Sequence, residues 1–163
     1  MENIKKRIKE ICDIKIDKDG VWYYRGAEML RADIVQYLYG YLKKTPGGSY
    51  YLEVSEHDRC EIDVEDTAFV VKSVERVRAD TSQEEVIHLS LSDGSSEVLE
   101  PDTLTISEEN VLYCRIKKNS FRARFSRKSY YQMISDVQYD DQVEKYFLNI
   151  NGKRCFIEGN NSQ

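Results

Sequence analysis

The stretch YCRIKKNSFRARF, residues 113–125, carries the reading on which the fold turns. Apolar and polar residues alternate on both sides of a polar Lys-Asn centre, the pattern of an antiparallel hairpin. With Lys118 and Asn119 as the loop, Ile116 falls opposite Phe121, Cys114 opposite Ala123 and Leu112 opposite Phe125. One face is then wholly apolar and belongs to the core, because strand side chains alternate between faces. The other face is fixed by the same register: Arg115 lies opposite Arg122, and Tyr113 opposite Arg124. Like charges facing each other across a strand pair destabilise it unless something neutralises them. An anion gripped by planar guanidinium groups fits that requirement.

Working outward, DIKIDKDGVWYYR (13–25) aligns with this stretch without a gap, and RCEI (59–62) aligns with RCFI (154–157). Ile14 and Ile16 then match Cys114 and Ile116, and Arg59-Cys60 matches Arg154-Cys155. Both halves read hairpin, helix, hairpin, so an internal repeat is expected. The expected fold is α+β, with two related half-domains of mostly antiparallel strands and one main helix each, residues 1–79 and 80–163. Transferring the register to the first hairpin pairs Ile16 with Val21 and Ile14 with Tyr23 toward the core. Trp22 and Tyr24 then stand on the opposite face beside Lys15. Large rings placed there are either a covered packing surface or one wall of a cleft between the halves, with the arginines on the other wall.

The remaining elements follow from periodicity. Ile4, Ile8 and Ile11 repeat at helical spacing in a basic N-terminal segment, and Ile34, Val35, Leu38 and Leu42 make a second helical stripe that ends at TPGG (45–48). YYLEV and RCEID form a second hairpin, and a longer strand runs from Ala68 to Arg78. VIHLSLSDGSSEVL alternates around an Asp-Gly turn and TLTI is a short strand. A helix is expected over 127–138, before a last hairpin in KYFLNINGKRCFI.

Composition bounds the function. A net charge of −5 gives no overall attraction to nucleic acid or to an anionic membrane. Cys12, Cys60, Cys114 and Cys155 lie far apart without a C-x-x-C or a neighbouring His pair, so buried free thiols are expected and a zinc site is not. No apolar run approaches the roughly 20 residues of a spanning helix, and none suits a signal peptide, so a cytoplasmic protein is expected. The charges are blocked: Ala79 to Cys114 holds acids and no Lys or Arg, whereas Arg115 to Lys128 holds bases and no acid.

The blocks DGVWYYRGAEM (19–29), CEIDVEDTAFVV (60–71), FRARFSRKSYYQMI (121–134) and YFLNINGKRCFI (146–157) resemble, in the same order, those of the bacterial family catalogued as domain of unknown function 1285. The most specific are G-x-W-x-Y (Gly20, Trp22, Tyr24), V-E-D-x-x-F (Val64, Glu65, Asp66, Phe69) and R-x-x-Y-Y (Arg127, Tyr130, Tyr131). The resemblance implies a two-part α+β fold with a repeated motif and a second part similar to pleckstrin-homology-like folds. It also implies a nucleotide-like ligand site between the parts and a signalling role, with no known reaction.

Asp63, Glu65 and Asp66 raise the question of catalysis, since paired carboxylates serve as acid and base when a pocket splits their pKa values. No nucleophile, glycine-rich phosphate loop or histidine base accompanies them. Glu65-Asp66 reads as a bend whose carboxylates accept backbone or arginine hydrogen bonds. A metal reading would recruit His57, Asp58 or Cys60, yet neighbouring strand residues point to opposite faces. His88 is out of phase with Ile87, Leu89 and Leu91 and reads as an exposed strand residue.

The leading expectation is a non-enzymatic sensor for a small anionic, nucleotide-like ligand, with neither cofactor nor metal. The residues expected at its site are Trp22, Tyr24, Glu65, Asp66, Arg115, Arg122, Arg124, Arg127 and Tyr131. A metal-dependent enzyme using Glu65 and Asp66 is the alternative. Single-stranded nucleic acid ranks third, because the register sends Phe121 and Phe125 to the core rather than to a stacking surface. Edge strands leave room for a homodimer.

Overall fold

A computed structural model describes residues 12–55 and 58–159. The expected N-terminal helix and His57 lie outside the described residues. The chain divides into two compact units, Met1–Ala68 and Phe69–Gln163. This boundary precedes the expected one at 79/80, because the long strand Phe69–Arg78 is hydrogen-bonded into the second unit.

The first unit contains β1 (Ile14–Ile16), β2 (Trp22–Tyr24), β3 (Ala27–Glu28), α1 (Ala32–Tyr39), β4 (Leu42–Lys44), β5 (Tyr50–Ser55) and β6 (Asp58–Val64). These strands form one sheet in the order β3-β2-β1-β6-β5-β4, antiparallel except for the parallel β1·β6 pair. Its apolar face buries Ile16, Trp22, Leu42, Tyr50, Leu52 and Ile62. Tyr39 packs edge-on against Trp22, with ring centroids 4.8 Å apart, and its hydroxyl donates to the Ala68 carbonyl.

The first hairpin departs from the expected register by one residue. Ile16 pairs with Trp22 and Ile14 with Tyr24, so Trp22 faces the core, and it is Tyr23 that stands beside Lys15. The loop is wider than two residues. Asp17 N–H donates to the Val21 carbonyl, and Asp17 Oδ1 accepts from the amides of Asp19 and Val21. Gly20 supplies the positive φ of 80° that the turn requires. The second expected helix is also shorter than its apolar stripe. It stops at Gly40, Leu42 opens β4, and TPGG becomes the β4–β5 turn, where the Ser49 amide donates to Thr45 Oγ1.

The second unit contains β7 (Phe69–Arg78), β8 (Glu85–Leu91), β9 (Ser96–Val98), a 3-10 turn (Pro101–Thr103), β10 (Thr105–Ile106), β11 (Leu112–Ile116), β12 (Phe121–Phe125), α2 (Arg127–Ile134), β13 (Val137–Asp140), β14 (Lys145–Ile150) and β15 (Lys153–Gly159). The strand order is β13-β14-β15-β10-β11-β12-β7-β8-β9. Helix α2 covers residues 127–134 only, because Ser135 caps it and Val137 begins a strand. At its start Ser126 accepts from the Ser129 amide, while the buried Ser129 hydroxyl donates to the Val71 carbonyl and fixes the helix on the sheet.

Six strands of this sheet, β12-β11-β10-β15-β14-β13, run in the same order as β3-β2-β1-β6-β5-β4, with a parallel central pair in both and, along the chain, a helix between β3 and β4 and between β12 and β13. The turns correspond too: Ser107 and Val111 repeat the bonds of Asp17 and Val21, and Asn110 repeats the positive φ of Gly20. By strand order the first hairpin therefore corresponds to β10–β11, not to the β11–β12 hairpin with which its sequence aligns. Arg59-Cys60 and Arg154-Cys155 hold corresponding places on β6 and β15.

The cysteines differ from expectation in one respect. Cys114 and Cys155 are buried free thiols, and burial pushes the Cys114 thiol up to about 12. Cys12 and Cys60, expected free, form a disulfide with Cα atoms 5.8 Å apart. The parallel β1·β6 pair sets this up: Lys15 lies beside Asp63, so three residues earlier Cys12 reaches Cys60. Sequence spacing alone contains no trace of that register. Among the described residues, no helix is long and apolar enough to cross a membrane.

Candidate functional site

The β11–β12 hairpin has the register read from its sequence, with Cys114 opposite Ala123 and Ile116 opposite Phe121 on the core side. Leu112, Cys114, Ile116, Ala123 and Phe125 are all buried. On the other side Arg115 lies directly across from Arg122, and Tyr113 across from Arg124. The Arg122 guanidinium sits over the Tyr113 ring, 3.6 Å from its centroid, and Tyr113 keeps only 7% of its surface exposed. Tyr113 was read from sequence only as the neighbour of Arg124. Alternation places the Tyr113 ring on the arginine face, and side-chain conformation seats Arg122, rather than the directly opposite Arg124, over it.

Neither Arg115 nor Arg122 forms an ion pair with a described carboxylate. The Arg115 amide is held by Thr103 Oγ1 at 3.1 Å, which fixes the backbone beneath an exposed side chain. Stacking on Tyr113 draws Arg122 diagonally along the strand pair. It satisfies part of that cation's demand but supplies no full negative charge.

The other expected site residues are distributed as follows. Arg127 opens α2 and is exposed, and Tyr131, 58% exposed, lies one helical turn later on the same stripe. In the first unit Trp22 is in the core rather than on an open face, while Tyr24 is partly exposed with Arg25 over its ring. Glu65 serves a turn: its Oε2 accepts the Lys18 amide at 2.9 Å, and its own amide donates to the Ile16 carbonyl. Asp66 is half-buried beside the buried Thr67. Among the described residues, no three His, Cys, Asp or Glu side chains converge as metal ligands.

The blocks of opposite charge meet in the second unit. Lys117, near the start of the basic block, places Nζ 2.8 Å from Asp93 Oδ2 and 2.9 Å from Ser95 Oγ, while its amide donates to Glu97. Burial favours the neutral acid at Asp93, but hydrogen bonds from Lys117 and Ser95 outweigh it and hold the carboxyl below its usual range. A folded-state pKa that is depressed contributes stability above the ordinary Asp value, and this is lost as pH falls through the folded value. Acid unfolding of a Lys117→Met variant should therefore show a smaller loss below about pH 4 than the parent. Equal acid slopes in urea titrations of the two proteins would contradict this.

Residues 5–67 match the family model described as Domain of unknown function (DUF1285), N-terminal domain. A DUF1285 family protein from Silicibacter pomeroyi DSS-3 has a similar structure, with a TM-score of 0.71 and 23% identity over 90% of this chain and 80% of that one. Another, from Shewanella baltica OS155, gives a TM-score of 0.61 and 17% identity over 77% of this chain and 93% of that one. No curated protein is significantly similar in sequence. Over residues 5–67 the chain thus matches the DUF1285 N-terminal domain, and it shares its fold with solved DUF1285 family proteins, the family its sequence blocks resemble.

Proposed function

We propose that the arginine face of β11–β12 binds a small phosphate-bearing anion, nucleotide-like in character, and that the protein is a non-enzymatic sensing module with a signalling role. One observation carries this reading: two arginines face each other across a strand pair, and neither has a carboxylate partner among the described residues. An oxyanion between them would remove the repulsion and accept hydrogen bonds from both guanidinium groups. Arg124 and Arg127 extend the positive surface, and Tyr131 offers an exposed ring for stacking. The common strand order of the two units supports descent from one duplicated half-domain. The family resemblance adds a pleckstrin-homology-like character for the second half.

Replacing Arg122 with Thr tests the site directly. Without ligand the variant should be as stable as the parent, or more stable by a few tenths of a kcal/mol, because a like-charge pair is gone and a strand-favouring residue replaces it. With AMP or inorganic phosphate, the parent should melt at a higher temperature and the variant should not shift, since binding to the native state alone raises apparent stability. An equal ligand shift in both proteins would remove the site. Strong destabilisation of the ligand-free variant would instead make Arg122 a structural residue through its stacking on Tyr113.

A further inference from the structure

The register that relates the two units extends to their outer strands. Ile16 and Trp22 pair as Ile106 and Leu112 do, and Tyr24 lies opposite Ala27 where Cys114 lies opposite Ala123. Strand β3 therefore holds the place of β12, with Ala27, Glu28 and Met29 at the positions of Ala123, Arg124 and Phe125. The two places are covered differently. In the second unit β7 is added to β12 in parallel, with Phe69 beside Ala123 and Val71 beside Phe125, and all four are buried. The following helix fastens the added strand, because the Ser126 amide and the Ser129 hydroxyl both donate to the Val71 carbonyl. In the first unit β3 ends the sheet among the described residues, and Ala27 and Glu28 are exposed.

The Met29 amide donates to the Trp22 carbonyl, so Ala27 and Met29 turn their backbone groups toward β2. The amide and carbonyl of Glu28 and the amide of Leu30, which stands where Ser126 does, then face the open edge. Beside them lies a groove of about 260 Å³ whose lining includes Tyr24, Ala27, Met29, Leu30 and Ile34. Tyr24, Ala27 and Met29 continue the sheet face on which Trp22 is buried, yet Leu30 is 84% and Ile34 39% exposed. Pockets for free small molecules run to about 300–1,000 Å³ and aim several polar side chains at the ligand. This groove is smaller and mainly apolar, and backbone donors and acceptors border it, the layout that takes an added strand.

We propose that β3 and this groove dock an extended segment of a partner protein as a further, parallel strand, with a large apolar side chain beside Ala27 and a β-branched one beside Met29. Strand β7 is the template for that chemistry, since it brings Phe69 and Val71 to the equivalent positions on β12. Main-chain hydrogen bonds to Glu28 and Leu30 supply affinity, and the alternate side chains supply specificity. The shortness of β3 and the charge of Glu28 keep the edge from pairing indiscriminately. The lining belongs wholly to the first unit, and the arginine face of the second takes no part.

The test uses the full chain and a fluorescein-labelled peptide, TAFVVKSVER, which copies residues 67–76. Fluorescence anisotropy should show saturable binding. A second peptide with serine in place of both Phe69 and Val71 should bind about tenfold more weakly or worse, because burial of two apolar side chains is lost. Glu28→Pro removes an outward amide and obstructs a neighbouring strand, a change that edge strands tolerate. It should melt like the parent and bind the first peptide about tenfold more weakly or worse. Leu30→Lys keeps every backbone donor, places a charge in the groove and should also weaken binding. Absence of saturable binding, equal affinity for the two peptides, or parent-like affinity in either folded variant would overturn the proposal. So would a parent dimer that Glu28→Pro dissociates, since a second copy would then be the occupant.

Discussion

Trp22→Ala is expected to destabilise the first unit by about 3–5 kcal/mol, the range for removing a large aromatic side chain from a core. Trp22 is 1% exposed and meets Tyr39 edge-on at 4.8 Å. Tyr39 is the buried residue of α1, so the truncation also removes the surface on which the helix is seated. The indole Nε1 has no hydrogen-bond partner among the described residues, and an unpaired buried donor is itself costly. Trp22→Phe should therefore be milder, about 1–2 kcal/mol, because it leaves a smaller void and removes that donor. Urea unfolding followed by circular dichroism measures both. Had Trp22 stood on an open face as a stacking platform, alanine would cost little stability and act only on ligand affinity. A loss below about 1 kcal/mol would return it to that role.

The contrast between the two hairpins shows what a sequence can and cannot decide. In 112–125 the residues of one face are all apolar and those of the other are Tyr and Arg, so only one register keeps arginines out of the core. In 14–24 the second strand reads Trp-Tyr-Tyr, aromatic on both faces, and a slip of one residue leaves apolar surface on either side. There the turn decides. Asp17 bonding to the amides of Asp19 and Val21 makes the wider loop, and that bond is invisible in the hydrophobic pattern. The slip exchanged Trp22 with Tyr23, and with them an expected binding platform with a core residue.

The same distinction governs the site. The arginine face was legible because repulsion across a strand pair follows from register alone. The seating of Arg122 on Tyr113 was not, since a cation over a ring two residues along the partner strand depends on rotamers rather than on alternation. Glu65 was read as part of a bend, and in the structure it does close a turn onto the Lys18 amide. The β4–β5 turn misled for another reason: Leu42 continues the spacing of Ile34 and Leu38, but Gly40 ends the helix before the stripe does.

Loss of the Cys12–Cys60 bond is the other change with a large expected effect. The disulfide spans 48 residues, most of the first unit, and it stands beside the parallel β1·β6 pair. That pair has Lys15 beside Asp63 and Ile16 beside Val64 in register, so few backbone contacts resist separation of β1 from β6. Cross-linking a loop of this length removes conformational freedom from the unfolded chain worth about 4 kcal/mol on the chain-entropy account. Cys12→Ser or Cys60→Ser should then lower stability by about that amount, and reduction of the parent should reproduce the loss without a substitution. Cys155→Ala is the control, because it removes a buried thiol at the corresponding place with no cross-link and should cost about 1 kcal/mol. Thermal unfolding of the parent with and without reductant, next to the three variants, separates the contributions. If reductant leaves the parent unchanged while Cys60→Ser is strongly destabilised, Cys60 acts through packing as Cys155 does, and the bond between β6 and the start of β1 does not hold the unit together.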